Sequence, residues 1–380
     1  MDALREAVRS CTRAWASCYE TILLRLSGGV DSSILLSCLA SDSTSADVLC
    51  LNYHSEGSNS DERRYARAAA VHVGRDLIER QRDPDFNLMS LLRIARTPSP
   101  VSPVGWMNAK TDARLAGAYA AAALFTGAGG DQLFYEFPFC WPAADYLQLR
   151  GLDAGFASAA MDAARLGRVS VWQAVALAFL NRVRRIRTTL ESSSHWALLG
   201  EEVAVNTKHR DRFIHPALLH SPGLPIGKHM QTWALLYPIG YYDPFEEAAA
   251  PELVHPLLSQ PLVELCLQLP TYLLTQGGRG RALARRAFAS ELPSEIINRR
   301  SKGGLEEHIT AVLSRNLAFA RSMLLDGELV RRGLLNRVAI KELLSGRPTK
   351  LSASPGRIHD LIGVEAWLTR WLPPNRHSAV

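Results

Sequence analysis

A serine- and glycine-rich heptad, SGGVDSS at 27–33, lies between an apolar run typical of a β-strand and an apolar run typical of a helix. The strand-like run is TILLRL at 21–26, and the helical pattern continues from Ile34. The adjacent Gly28 and Gly29 permit positive φ and a close approach of a ligand, so that backbone N–H groups and the helix start can face one anion. The order of strand, glycine turn and helix therefore predicts a phosphate-binding loop.

The side chains of this loop predict a metal-bound phosphate. The hydroxyl groups of Ser27, Ser32 and Ser33 add hydrogen-bond donors. Asp31 differs, because a carboxylate beside a bound phosphate repels it unless a divalent cation lies between them. We therefore predict that Asp31 binds Mg²⁺. The loop lacks the Gly-Lys-Ser/Thr of the lysine-bearing nucleotide loop, and a turn that only caps a helix is the alternative.

The same order of strand, loop and helix recurs along the first part of the chain. Further strands are predicted at 48–53, 76–80 and 121–126. Such alternation predicts an α/β fold with a doubly wound, mostly parallel sheet, whose ligand lies beyond the carboxyl ends of the strands. Later residues show helical spacing broken by prolines. We assign 1–135 to an α/β core that binds the phosphate-bearing ligand and 136–380 to a mainly helical lobe that completes the site.

A second glycine loop, TGAGGDQLF at 126–134, follows the predicted fourth strand. With Asp31 and Asp131 facing one bound phosphate group, one or two Mg²⁺ ions could bridge the two carboxylates and neutralise the phosphate charge. A glycine turn with Asp131 as the helix N-cap is the alternative. The other residues predicted to contact nucleotide in this loop are Thr126, Gly127, Gly129 and Gly130.

Both loops and two later segments resemble, in order, the synthetase domain of the glutamine-dependent asparagine synthetase family. That family belongs to the ATP pyrophosphatase (adenine-nucleotide α-hydrolase) group and includes β-lactam synthetases and lasso-peptide macrolactam synthetases, or lasso cyclases. The later segments are HPLLSQPLVE at 255–264 and LPSEIINRRSKGG at 292–304. They are similar to the family's Pro-Phe-Leu-Asp segment and to its Leu-Pro-x-Glu-Ile and Arg-x-Lys-Gly segment. The similarity covers roughly residues 1–320.

This resemblance implies ATP as co-substrate, Mg²⁺, and adenylation of a carboxylate with release of pyrophosphate. It implies that Lys302 is the catalytic lysine, which contacts the acyl-adenylate and the oxyanion formed during amine attack. It also implies that the backbone at Leu26, Leu51 and Gly127 frames the adenosine. The alternatives are a solvated surface lysine and ordinary leucines of buried strands.

The chain departs from asparagine synthetases in four places. Only 26 residues precede the phosphate loop, so we expect no N-terminal glutaminase domain. Ala128 stands where asparagine synthetases have glutamate and β-lactam synthetases have tyrosine. Ser259 replaces the aspartate of the proline segment, and Arg281 or a neighbour replaces a lysine expected before the catalytic loop. Candidates for the base that deprotonates the amine are Glu136, Tyr135, Asp243 and the histidines.

The pattern is most similar to lasso cyclases. These enzymes adenylate an aspartate or glutamate side chain of a ribosomal precursor peptide, and the N-terminal amine of the same peptide attacks it. The resemblance implies a peptide substrate, a separate leader protease and a leader-binding protein. Two other interpretations stay open: an asparagine-synthetase-like amidotransferase that uses free ammonia or a separate glutaminase, and an inactive nucleotide-binding scaffold.

Composition excludes other classes of function. The six cysteines form no Cys-x-x-Cys pair and no histidine cluster completes a zinc site, so we expect them to be small buried side chains. The longest apolar run, 115–125, is too short to cross a membrane, and no secretory leader is evident. The net charge of +6 is concentrated after residue 275, without an aromatic-studded basic motif. We expect a cytoplasmic protein with no membrane or nucleic-acid partner.

Overall fold

A five-stranded parallel sheet lies at the centre of the computed structural model, in the order β3-β2-β1-β4-β5. The strands are β1 (Thr21–Arg25), β2 (Asp47–His54), β3 (Leu77–Gln81), β4 (Ala123–Thr126) and β5 (Glu252–Val254). The residues that the structure describes are 1–41, 45–55, 61–93, 99–100, 107–184, 197–206, 215–219, 223–236, 251–300, 303–345 and 355–372. Strand order reverses at β1, which places a topological switch point between β1 and β4 and confirms the predicted doubly wound α/β fold.

The central strand is apolar on both faces because helices cover both sides of the sheet. Ile22, Leu23 and Leu24 are fully buried. Ile22 and Leu24 belong to one apolar cluster, and Leu23 belongs to another on the opposite face with Leu51 and Leu124. Because no polar alternation marks such a strand, its sequence reads as a continuous apolar run.

Helices surround the sheet and form most of the chain after β4. The helices up to β5 are α1 (Asp2–Ala16), α2 (Val30–Leu39), α3 (Arg63–His72), α4 (Ala109–Ala118), α5 (Gly130–Leu133), α6 (Trp141–Arg150), α7 (Ala154–Gly167), α8 (Val171–Arg184), α9 (Glu201–Asn206), α10 (Pro216–Leu219) and α11 (Ile226–Leu236). Those after β5 are α12 (Gln260–Gln268), α13 (Thr271–Leu274), α14 (Ala282–Ala287), α15 (Ser294–Asn298), α16 (Glu306–Arg315), α17 (Leu317–Asp326), α18 (Glu328–Arg331), α19 (Arg337–Leu343) and α20 (Pro355–Trp371). Short 3₁₀ helices cover Leu88–Arg93 and Pro256–Leu258.

The later helices build two apolar clusters of their own. Helices α6, α7 and α8 pack around Ala143, Leu147 and Phe156. Helices α16 to α20 pack around Val312 and Ile362. The helical character predicted for this part of the chain is therefore present, although the boundary at residue 135 stays a prediction.

The strand β5 was not predicted from the sequence. It has three residues, is preceded by Pro251 and is followed by His255-Pro256, so its apolar signal is too short to recognise. Its pairing with β4 comes from tertiary contact. The sheet thus takes its fifth strand from the segment that we assigned to the helical lobe.

Four of the six cysteines are buried, as expected, while Cys11 is partly exposed and Cys18 is exposed. Among the described residues, no helix has both the length and the apolar character needed to cross a bilayer.

Candidate nucleotide site at the carboxyl ends of the strands

The first glycine loop leads directly from β1 into α2. Gly28 has φ +73°, and a Cβ atom there would lie 2.5 Å from the backbone nitrogen of Ala66, so only glycine fits. Gly29 is the N-cap residue of α2. The unsatisfied N–H groups of the first helical turn therefore face the carboxyl end of the sheet, which is the geometry of an anion site.

The three serines of this loop have different environments. Gly29 donates its N–H to Ser27 Oγ at 3.3 Å, and Ser27 Oγ lies 3.2 Å from Ser32 Oγ. The Ser33 hydroxyl is buried without a hydrogen-bond partner among the described residues. Ser27 and Ser32 therefore shape the turn, and the Ser33 hydroxyl has unused donor and acceptor capacity.

Leu26 directly follows β1 and lies beside Leu51, which is three residues before the end of β2. The N–H of Leu26 donates to Leu51 O at 2.8 Å, and the Asn52 side chain donates to Leu26 O at 2.7 Å. Both leucine side chains are buried in the core. Any contact of these two leucines with a nucleotide would therefore come from their backbone, and that role stays a prediction.

The second glycine loop packs against the first because two of its residues lack side chains. A Cβ atom on Gly127 would lie 2.9 Å from the backbone nitrogen of Ser32, and one on Gly130 would lie 2.4 Å from Cγ of Asp31. Both distances are shorter than any normal van der Waals contact. The contact between the two loops therefore requires glycine at both positions, and not only because the chain turns there.

Thr126 and Gly129 fix the shape of the second loop. The Thr126 hydroxyl accepts the N–H of Ala128 at 3.1 Å and lies 2.7 Å from Nδ1 of His255. Gly129 has φ +87°, and its missing Cβ leaves space for Leu258. The segment at 255–258 thus supports the loop from β5, and Ala128 presents only a methyl group.

One arginine connects both predicted magnesium ligands. Arg281 Nε donates to the two oxygens of Asp31 at 2.8 and 3.0 Å, and its Nη2 donates to Asp131. Its Nη1 lies 2.7 Å from Glu136 Oε2. The Arg281 side chain is only 6% exposed, and its backbone has φ +54°, a left-handed conformation that costs about 1–2 kcal/mol for a residue other than glycine. Three carboxylates therefore converge on one buried cation.

The carboxylates fit a magnesium ion that arrives with a nucleotide. Within the described ranges, no set of three His, Cys, Asp or Glu side chains is arranged to hold a metal ion alone. Mg²⁺ in nucleotide enzymes is usually held by one or two carboxylates, with phosphate oxygens and waters completing the octahedron. Asp31 and Asp131 supply two such carboxylates. The Arg281 guanidinium between them marks a position where their negative charges stabilise a cation.

Lys302 lies outside the described residues, and so does Asp243, but the residues beside Lys302 are anchored to the first loop. Arg299 Nη1 donates to Gly28 O at 3.1 Å. Glu62 accepts hydrogen bonds from the Arg299 guanidinium and from the N–H of Gly303, the latter at 2.9 Å. The chain on both sides of Lys302 is therefore attached close to the phosphate loop.

A buried lysine supports the helix that carries Asp131. Lys228 Nζ donates to Gln231 Oε1, Cys266 O and Leu269 O at 2.6, 3.2 and 2.5 Å. Burial lowers the pKa of Lys228 to about 8. Gln231 in turn donates to the carbonyl groups of Gln132 and Leu133, at the end of α5. The pair fixes the far end of the second loop.

Asp145 is a second buried charged group in this region. It accepts the N–H groups of Gly227 and Lys228 at 2.8 and 3.0 Å, and the Thr271 hydroxyl at 2.6 Å. Burial raises its pKa to about 6, although these hydrogen bonds act in the opposite direction. Asp145 therefore positions the start of α11, which presents Gln231 to the loop.

The remaining base candidates differ in accessibility. Tyr135 is fully buried, and burial raises its pKa well above the usual value, which makes it unsuitable as a base. Glu136 is partly exposed and pairs with Arg281.

Ser259 accepts a hydrogen bond from the Trp15 indole at 3.0 Å and lies at the N-cap of α12.

Sequence reasoning missed three contributors to this site. Glu62, Lys228 and Gln231 carry no motif, because each acts through contacts between distant segments. Arg281 was recognised only as a replacement for a lysine, and its bridging of two carboxylates had no sequence signal beyond its neighbouring glycines.

The switch-point position and the two packed glycine loops are typical of α/β proteins that bind a nucleotide. A family model described as asparagine synthase matches residues 1–369, so the chain belongs to the asparagine synthase family. Membership indicates an ATP-dependent ligase that forms amide bonds, with ATP as co-substrate. A comparison with curated proteins gave no match.

Proposed function

We propose that this protein is an AMP- and pyrophosphate-forming ligase that closes a macrolactam ring in a peptide, as lasso cyclases do. It activates a side-chain carboxylate as an acyl-adenylate, and the N-terminal amine of the same peptide attacks it. The observation that carries the ATP-dependent step is the convergence of Asp31 and Asp131 on one point between two glycine loops.

The chain's own groups divide the work of nucleotide binding. The N–H groups at the start of α2 face the phosphates, and the backbone of Leu26 and Leu51 lines the adenosine side. Asp31 and Asp131 would hold Mg²⁺, which supplies charge neutralisation for the leaving pyrophosphate. Gly127 and Gly130 keep both loops close enough to share one nucleotide.

The part of the site where the attacking amine would bind favours a peptide substrate over free ammonia. Ala128 offers no side-chain chemistry where amidotransferases of this family have glutamate. An open groove of about 460 Å³ lies beside the anchored residues that flank Lys302, and its lining includes Tyr65, Arg168, Glu295 and Arg300. A groove of this size and positive charge suits a polypeptide with an acidic side chain, and holding amine and acyl carbon together supplies a large part of the rate.

Lys302 acts at the acyl-adenylate in this proposal. Its cation would stabilise charge that develops on the carbonyl oxygen only as the amine attacks. The hydrogen bond from Arg299 to Gly28 in the first loop and that from Gly303 to Glu62, which also binds Arg299, support a position close to the phosphates. A separate leader protease and a leader-binding protein would deliver the peptide.

The decisive experiment combines pyrophosphate release with mass spectrometry. The full chain is incubated with Mg²⁺, ATP and the peptide encoded by a short neighbouring gene, and we expect stoichiometric AMP, pyrophosphate and a product lighter by one water. Lys302→Ala should abolish ring closure and retain nucleotide affinity, while Lys341→Ala, an exposed lysine of α19, serves as the control. Unchanged turnover in Lys302→Ala would refute the assigned role.

Two other functions give different results in the same assay. Asparagine formed from aspartate and an ammonium salt would favour the amidotransferase. Nucleotide binding without pyrophosphate release across candidate peptides would favour an inactive scaffold.

A further inference from the structure

The cluster of Arg281 and its three carboxylates implies more than a place for a metal. Arg281 Nε uses both oxygens of Asp31, while its two terminal nitrogens contact Asp131 and Glu136. The guanidinium thus lies between the same two carboxylates that our proposed function assigns to Mg²⁺. A guanidinium stays protonated at any physiological pH, so its charge can be removed only by moving the side chain.

We infer that Arg281 acts as a resident cation that prevents metal binding to the nucleotide-free protein, and that it is displaced when a metal–nucleotide complex enters. This inference rests on the proposed metal role of Asp31 and Asp131. It makes Arg281 a positioning residue that couples metal entry to nucleotide entry.

Electrostatic repulsion explains why the Arg281 guanidinium and Mg²⁺ exclude each other when no nucleotide is bound. The side chains of Asp31, Asp131, Glu136 and Arg281 carry a formal charge of −2 together. A divalent ion placed beside the guanidinium would face a like charge at close range in a buried site, where water screens poorly. The negative charge of a triphosphate removes that repulsion and offers the guanidinium new acceptors.

The backbone around Arg281 is consistent with a side chain that can move. Arg281 has φ +54°, and it follows a turn in which Gly277 and Gly278 also have positive φ. Gly280 has no room for a Cβ, which would lie 2.0 Å from Glu136 Oε2. The left-handed conformation is held by the ion pairs, so loss of those pairs would let the turn relax.

The test measures binding of Mn²⁺, as a probe for Mg²⁺, to the full chain in the absence of nucleotide and peptide. Electron paramagnetic resonance reports free Mn²⁺ directly. We expect weak binding by the wild type and at least about tenfold tighter binding by Arg281→Met, because removal of the guanidinium leaves the Asp31 carboxylate available. Adding Asp31→Asn to that variant should abolish the gain.

Arg286→Met is the matched control, because Arg286 is an exposed arginine of the same helix whose described bond is to Gln276 O. Its Mn²⁺ affinity should equal that of the wild type. If Arg281→Met does not fold, Arg281→Lys provides a shorter cation and should show an intermediate affinity.

Tight nucleotide-free binding of Mn²⁺ by the wild type would overturn the inference without reference to any variant. Equal affinity of wild type and Arg281→Met, or a gain that survives Asp31→Asn, would also overturn it. Failure of the proposed function would appear separately, as absence of pyrophosphate release, because the Mn²⁺ titration involves no turnover.

Discussion

Gly130→Ala tests whether the contact between the two glycine loops determines activity. The added methyl carbon would lie 2.4 Å from Asp31 Cγ and 2.7 Å from Oδ1. Because non-bonded carbon atoms approach to about 3.5–4.0 Å, the Asp31 carboxyl group must move by about 1 Å. Gly130 has no positive φ, so backbone strain does not complicate the experiment.

The expected effect is large on activity and small on stability. A displacement of about 1 Å at a reacting site costs roughly 100-fold, which corresponds to about 2.7 kcal/mol. The free energy of unfolding gains a favourable contribution, because alanine is favoured over glycine in a helix by about 1 kcal/mol and Gly130 begins α5. The assay compares kcat/KM for pyrophosphate release and the Kd for MgATP with the unfolding free energy in urea.

Gly117→Ala is the matched control for this substitution. Gly117 lies inside α4, and a Cβ there would contact nothing within 4 Å. We expect a gain in stability of up to about 1 kcal/mol and unchanged activity. A folded Gly130→Ala protein with wild-type kcat/KM would refute the argument that Asp31 must occupy its present position.

Three further predictions concern groups around the site. Thr126→Val should leave the Ala128 N–H without its hydroxyl acceptor and cost about 1–3 kcal/mol in urea unfolding, whereas Thr126→Ser should retain most of the stability. Burial raises the pKa of Asp145 to about 6, so its ionisation destabilises the fold as pH rises from about 4 to 6. Asp145→Asn removes that titration, so the unfolding free energy of the variant minus that of the wild type should rise by up to about 3 kcal/mol from pH 4 to pH 7. This change adds to a pH-independent loss, because the amide nitrogen of asparagine cannot accept the N–H of Lys228. A difference independent of pH would contradict the argument. Glu62→Gln should weaken the attachment of Gly303 and lower kcat for pyrophosphate release with little change in overall stability, while equal kcat would show that this attachment is dispensable.

The elements that could be predicted from the sequence are those determined by residues close together in the chain. The turn at Gly28 and the strands β1 to β4 follow from apolar runs and glycine chemistry that lie within a few residues. The predicted strand at 76–80 corresponds to Leu77–Gln81, and the one at 121–126 begins two residues later, at Ala123. Differences of this size arise because strand ends are set by pairing with neighbours.

Features that depend on distant segments could not be predicted. The bridge from Arg281 to Asp31 joins residues 250 positions apart. Such contacts are decided by how the helices pack, which leaves no periodic or local pattern in the chain.

Because β5 lies late in the sequence, a fragment that contains only the first part of the chain has an incomplete sheet. A fragment ending near residue 135 would expose one side of β4, a strand whose four residues are all buried, and an unprotected edge of this kind invites aggregation. The same fragment would lose the contact of Arg5 in α1 with the carbonyl of Ala287. Expression of the ATP-binding part alone should therefore give insoluble material, and ribosomal synthesis must pass residue 254, two thirds of the way along the chain, before the sheet can close.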